Sequence, residues 1–174
     1  MWEKQLRSGA VLLLGVALFL CTGCGKIGWR EYDSPNGGYA AEFPGTPTIK
    51  TQGVPTPLGE ISTNITVVET RDWAYSVIHA DMPAIVETAP PKAVLEGAKQ
   101  GIGGKGIKIT KSQEMTLFGK PALELFGQDD QNRRMRVRLF LVKNRMYQII
   151  IAAGSDNLLT DADAERFFAS FKLK

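Results

Sequence analysis

From Ala122 to Val142 the chain reads A-L-E-L-F-G-Q-D-D-Q-N-R-R-M-R-V-R-L-F-L-V. Apolar and polar residues alternate on both sides of a polar centre, the period-2 signature of two half-buried strands joined by a turn. If Asp130-Gln131-Asn132 forms a three-residue hairpin loop, Leu125 faces Val137 and Leu123 faces Leu139, while Glu124 stands opposite Arg138 on the other side. A slip by one residue would set Leu125 against Arg138 and mix the two sides, so the first register is expected. The fold is therefore read as one built on an antiparallel sheet.

Outward from this hairpin the strand signals continue. Met146 to Ala153 follows directly, and Ile107 to Leu117 precedes it. Further upstream, Glu60 to Glu69 and Trp73 to Ala80 are rich in β-branched and aromatic residues and are separated only by Thr70-Arg71-Asp72, as in a hairpin. Trp29 to Asp33 and Tyr39 to Phe43 flank the turn cluster Ser34-Pro35-Asn36-Gly37-Gly38. Pro44, Pro47, Pro55 and Pro57 confine the next stretch to loops and edge strands.

Two helices interrupt the strands. Pro90 and Pro91 open one, where a missing N–H is harmless; Leu95, Ala98 and Ile102 form its apolar stripe, and glycines from Gly101 onward end it. The second starts near Asp161 and carries Ala164, Phe167, Phe168 and Phe171 on one face, with Thr160 and Asp163 spaced as a capping box. Strands, helix, strands, helix, with hairpin-length links, give an α+β class: an antiparallel β-sheet with helices packed on it.

The same alternation puts Arg134, Arg136 and Arg138 on one face of their strand, with Met135, Val137 and Leu139 on the other. Such a row suits docking of an anionic partner, a polysaccharide or a lipid headgroup. The favoured reading is a solvated sheet face, partly neutralised by Glu124 and Asp129. Other constellations read as structural. Gly101-Ile102-Gly103-Gly104-Lys105-Gly106 matches G-x-G-x-x-G, but it follows a helix and precedes a strand, the reverse of a phosphate cradle. His79, the single histidine, has no nucleophile motif beside it and reads as a packed or surface residue. Asp156, Asp161, Asp163 and Glu165 miss the spacing of a calcium loop and suit the start of a helix. No metal, cofactor or catalytic group is expected.

The chain has 174 residues, 44% hydrophobic and 22% charged, an ordinary composition for one globular domain. A net charge of +3 is too mild to point to nucleic acid. The amino terminus departs from the rest. Lys4 and Arg7 precede an apolar and small run from Ala10 to Leu20, followed by Cys21-Thr22-Gly23-Cys24. Basic head, short apolar middle and small-residue exit are the parts of an export signal. The run is about half the roughly 20 residues a spanning helix needs.

The exit resembles a bacterial lipoprotein lipobox, with Cys24 as the residue that carries diacylglycerol and Thr22 and Gly23 as the small residues before the cut. Cys21 stands where such boxes usually hold Leu. A cleaved soluble signal or an uncleaved apolar anchor are the other readings. The expected organisation is a leader at 1–23, a lipidated Cys24 and short tether at 24–28, and one domain at 29–174. After cleavage Cys24 is the one remaining cysteine, so no disulfide forms within that chain. Gly25 after Cys24 is not the Asp that retains such proteins at the inner membrane. The resemblance therefore implies the outer membrane, periplasmic side, in a host that has one.

S-P-N-G-G-Y-A-A-E-F-P-G (34–45), F-G-K-P-A-L-E (118–124), R-L-F-L-V-K-N-R-M-Y-Q-I (138–149) and F-F-A-S-F-K-L (167–173) resemble small envelope domains of the PsbP/Mog type. That resemblance implies an α/β/α sandwich. Its named members are an extrinsic subunit of the oxygen-evolving photosystem and a nuclear-import cofactor, neither catalytic in the usual sense. The functional expectation is a non-enzymatic, membrane-anchored module that binds or scaffolds an envelope protein. The alternative is a small-ligand or anion-binding module using a sheet/helix cleft or the arginine row. A hydrolase is less favoured, because nucleophile, base and metal candidates are missing or isolated.

Overall fold

The computed structural model describes residues 28–56 and 59–174; the expected leader at 1–23, Cys24 and Pro57 lie outside the described residues. Ten strands and two helices occur among them: β1 (Trp29–Ser34), β2 (Tyr39–Pro44), β3 (Thr48–Thr56), β4 (Gly59–Glu69), β5 (Trp73–Asp81), α1 (Pro91–Gly103), β6 (Lys108–Leu117), β7 (Lys120–Gln128), β8 (Arg134–Val142), β9 (Arg145–Ala153), α2 (Ala162–Ser170) and β10 (Lys172–Leu173). Seven strands form one antiparallel sheet in the order β3-β4-β5-β9-β8-β7-β6. The β7–β8 register pairs Leu125 with Val137, Leu123 with Leu139 and Glu124 with Arg138, as the alternation requires. Pro55 lies on the edge strand β3, opposite Glu60, as expected, whereas Pro44 instead closes β2.

One difference from the expected single sheet is that β1 and β2 leave it. They pair with β10 as a separate three-stranded sheet, order β1-β2-β10. The cause lies in β2, where Tyr39, Ala40, Ala41 and Phe43 are all buried. A strand covered on both sides fits between layers rather than at a half-exposed edge.

The two faces of the large sheet carry separate cores. On one, Leu123, Leu125, Val137, Leu139 and Met146 pack under α1, which contributes Leu95, Val94, Ala98 and Ile102. On the other, Tyr75, Val77, Phe140, Tyr147, Ile149 and Ile151 pack under the small sheet and α2, whose Ala164, Phe167 and Phe168 are buried, with Phe171 just beyond. Helices thus cover both faces, and the class is α+β in an α/β/α arrangement. The cap of α2 corrects the expected Thr160 and Asp163 box. Asp161 is the cap, its Oδ1 accepting the Ala164 N–H at 2.8 Å.

Two local features set the shape of the β6–β7 hairpin. An extra residue, Thr110, interrupts pairing between Ile109 and Lys111. Opposite it, Gly127 lies so close to β6 that an added Cβ would stand 2.9 Å from the Lys108 carbonyl oxygen. At the hairpin tip Phe118 and Gly119 both adopt positive φ, 52° and 69°, a pair of values typical of a tight mirror-image turn. The Phe118 ring rests on Phe140 and Phe171, with centroids 5.5 and 5.8 Å away, and remains 46% exposed.

Candidate functional site

Arg134, Arg136 and Arg138 do share one side of β8, but α2 and the turn Asp156–Leu159 cover that side. The expected solvated row is corrected at its centre, where Arg136 is 6% exposed. Its Nε donates to Glu124 Oε1 at 2.9 Å, and one terminal nitrogen donates to the Leu159 carbonyl at 3.1 Å and to Glu165 Oε1 at 2.5 Å. Arg138 Nε donates to the same Glu124 oxygen at 2.9 Å, and Gln113 Nε2 donates to its other oxygen at 2.5 Å. Phe168 of α2 lies under both guanidinium groups, 4.7 Å from Arg136 and 4.3 Å from Arg138. Arg134, at the rim, bonds Gln128 Oε1 and stands 3.8 Å from Asp156. Asp129, expected to help neutralise the row, instead pairs with Arg133 at 2.7 Å.

Charge settles into this cluster because each member is matched. Burial pushes the Glu124 carboxyl up, but hydrogen bonds from Arg138 and Arg136 outweigh it and hold the group below the usual carboxylate range. Burial alone would lower the Arg136 guanidinium; bonds to Glu165 and Glu124 reverse this and keep it firmly protonated. Mechanically, the cluster clamps α2 and the preceding turn onto the sheet. The arginines turn their donors inward, and Arg134 is the member most open to solvent.

His79 is buried among aromatic rings, 5.9 Å from Tyr39 and 6.4 Å from Tyr147 between centroids, and its Nδ1 has no hydrogen-bond partner. Burial, then the nearby Arg145, lowers its pKa and keeps the ring neutral. Asp81, two residues away, is engaged elsewhere: Arg145 binds it through two bonds of 2.6 and 2.7 Å. The Tyr39 hydroxyl donates to Thr66 at 2.8 Å, and burial pushes it up to about 12. These are packing roles. The G-x-G-x-x-G stretch falls at the end of α1 and ahead of β6, as expected of a helix stop. Asp161 caps α2, Asp156 contacts Arg134 and Glu165 joins the Arg136 clamp, while Asp163 stands in the first turn of α2.

A groove of about 290 Å³ runs between the small sheet and α2, lined by Glu31, Glu42, Arg166, Ser170 and Lys172. Glu31 and Glu42 are directly opposed across β1 and β2. Each has a cation: Arg166 Nε donates to Glu42 at 2.6 Å, and Lys172 stands 3.9 Å from Glu31. Sequence reasoning did not find this groove, because it depends on β10 joining β2. No helix among the described residues is long and apolar enough to cross a membrane.

The architecture is that of a PsbP-like α+β domain. A solved structure that shows it is the solution structure of the cyanobacterial PsbP protein, CyanoP, from Synechocystis sp. PCC 6803. It matches with a TM-score of 0.54 and 15% identity, over 90% of this chain and 99% of that one. At that identity the likeness is one of fold. No family model matches the chain, and no curated protein does.

Proposed function

We propose that this chain is a non-enzymatic, lipid-anchored protein of the bacterial envelope that binds or scaffolds a protein partner. The observation that carries the reading is the distance from Cys24 to the fold. Strand β1 begins at Trp29, so Gly25-Lys26-Ile27-Gly28 is all that separates the candidate acyl-bearing residue from a packed domain. A body on so short a tether acts at the membrane surface. Three acyl chains on one cysteine would hold it there firmly, each buried methylene contributing about 0.8 kcal/mol. The non-enzymatic part of the reading is supported by the way two ion-pair clusters are used. The clusters around Glu124 and Asp81 tie elements of the fold together instead of converging on an open cleft.

The test of the anchor is incorporation of labelled palmitate in the native host: Cys24→Ser abolishes it and Cys21→Ser does not. Binding is tested by in-cell cross-linking of the lipidated form, with one reproducible protein partner expected. The second reading, a small-ligand or anion module, draws on the groove beside Arg166 and Lys172 and on Arg134. It expects a specific upward thermal shift with one metabolite, ion or glycan and no cross-linked partner.

A further inference from the structure

Strand β1 starts at a particular end of the domain. Trp29, the first residue of β1, lies edge-on to Tyr75 at 5.8 Å, and Trp73 lies edge-on to the same ring at 5.0 Å. Both indoles are half-buried and pack against the core. Arg166 lies 4.7 Å over the Trp29 ring, while Arg30 and Arg71 are exposed beside the two tryptophans in sequence. Trp73 follows the hairpin turn at 70–72 and pairs with Ala153, so this end of the sheet is the one bearing the turns after β4 and β9. The Phe118 hairpin tip lies at the opposite end of the nine-residue strands, about 30 Å away at 3.3 Å per residue.

We infer that the domain rests on the bilayer by this end, with Trp29 and Trp73 at the headgroup level and the Phe118 end turned away. The inference rests on the Cys24 anchor proposed above. Five Cα steps separate Cys24 from Trp29, a reach of at most about 18 Å when fully extended. A shorter path brings the indoles to the interface, the depth at which tryptophan's apolar ring and N–H are both accommodated. The charges at this end are mixed. Arg166 is paired with Glu42, and Arg30 and Arg71 are offset by Asp72 in the turn and by Asp161 and Asp163, whose charges reach Tyr75 between the two indoles. The contact is therefore with the interface itself and not with anionic headgroups.

Removal of the leader takes Trp2 with it, which leaves Trp29 and Trp73 as the tryptophans of the processed chain. The native lipidated protein, purified from its membrane, is reconstituted into phosphatidylcholine vesicles with ordinary or brominated acyl chains. Bromination is expected to quench the indole emission, equally with and without added phosphatidylglycerol. A reporter made by Phe118→Trp in a Trp29→Phe, Trp73→Phe background is expected to keep its emission; if that variant does not fold, the unmodified protein decides. Co-floating, acylated protein whose emission ignores bromine overturns this inference alone, as does equal quenching at position 118. A processed protein without acyl mass overturns the anchor and this inference with it.

Discussion

Glu124→Gln removes the charge shared by the buried Arg136 and the half-buried Arg138 while keeping the side chain's size. After the change, Arg136 retains Glu165, the Leu159 carbonyl and the ring of Phe168. Arg138 retains the Phe168 face. Removing one partner of a buried pair typically costs about 3–5 kcal/mol, because a charge is left out of water without its match. Gln still offers one acceptor oxygen, and the Arg138 side chain is 15% exposed, so the lower part of that range applies, about 3 kcal/mol. With a urea slope near 2 kcal/mol/M, the midpoint falls by about 1.5 M. Glu165→Gln, whose side chain is 54% exposed, lowers stability by less than about 1 kcal/mol. The pH dependence has a definite sign. Glu124 has a folded-state pKa depressed below its ordinary 4.5, so its stabilisation is complete above 4.5 and is lost as pH falls through the lower folded value. The gap between wild type and Glu124→Gln is thus constant from pH 5 to 8 and narrows in stronger acid. Equilibrium urea unfolding followed by circular dichroism at each pH measures both. A midpoint shift no larger than that of Glu165→Gln, or a gap that does not narrow in acid, refutes the reasoning.

His79→Phe flattens the pH dependence of Tm between pH 7.5 and 5.5. The folded ring has a lowered pKa, so below 6.5 the unfolded chain takes up a proton that the folded one refuses and wild-type stability falls; scanning calorimetry at the two pH values compares them. Asp161→Ala removes the cap on the Ala164 N–H and costs about 1 kcal/mol by urea unfolding. Gly127→Ala forces β6 and β7 apart where the Lys108 carbonyl would lie 2.9 Å from the new Cβ. The expected loss is about 1–3 kcal/mol, with hydrogen exchange rising first at the β6 edge.

Alternation from Leu123 to Leu139 was enough to fix the β7–β8 register, since a slip would have placed arginines in the α1 core. It could say which side each arginine faces but not what covers that side. The cover is α2, and its Phe167 and Phe168 need a sheet face to bury against; a carboxylate at Glu124 between Leu123 and Leu125 was the signal that this face holds matched charges. The three-stranded sheet was hidden because β10 is two residues long, too short to carry a pattern. Groove and small sheet alike depend on that strand meeting β2. Asp161 took the cap from Thr160 because a carboxylate beside the first free N–H groups also answers the helix dipole.

The claim on which the functional account stands is attachment through Cys24. Intact-mass spectrometry of the protein extracted from its native membrane addresses it directly. The account predicts a polypeptide starting at Cys24 and heavier than its sequence by a diacylglyceryl group and a further fatty acyl chain. A mature chain starting at another residue, or one that retains Met1 to Gly23 and carries no lipid, contradicts it.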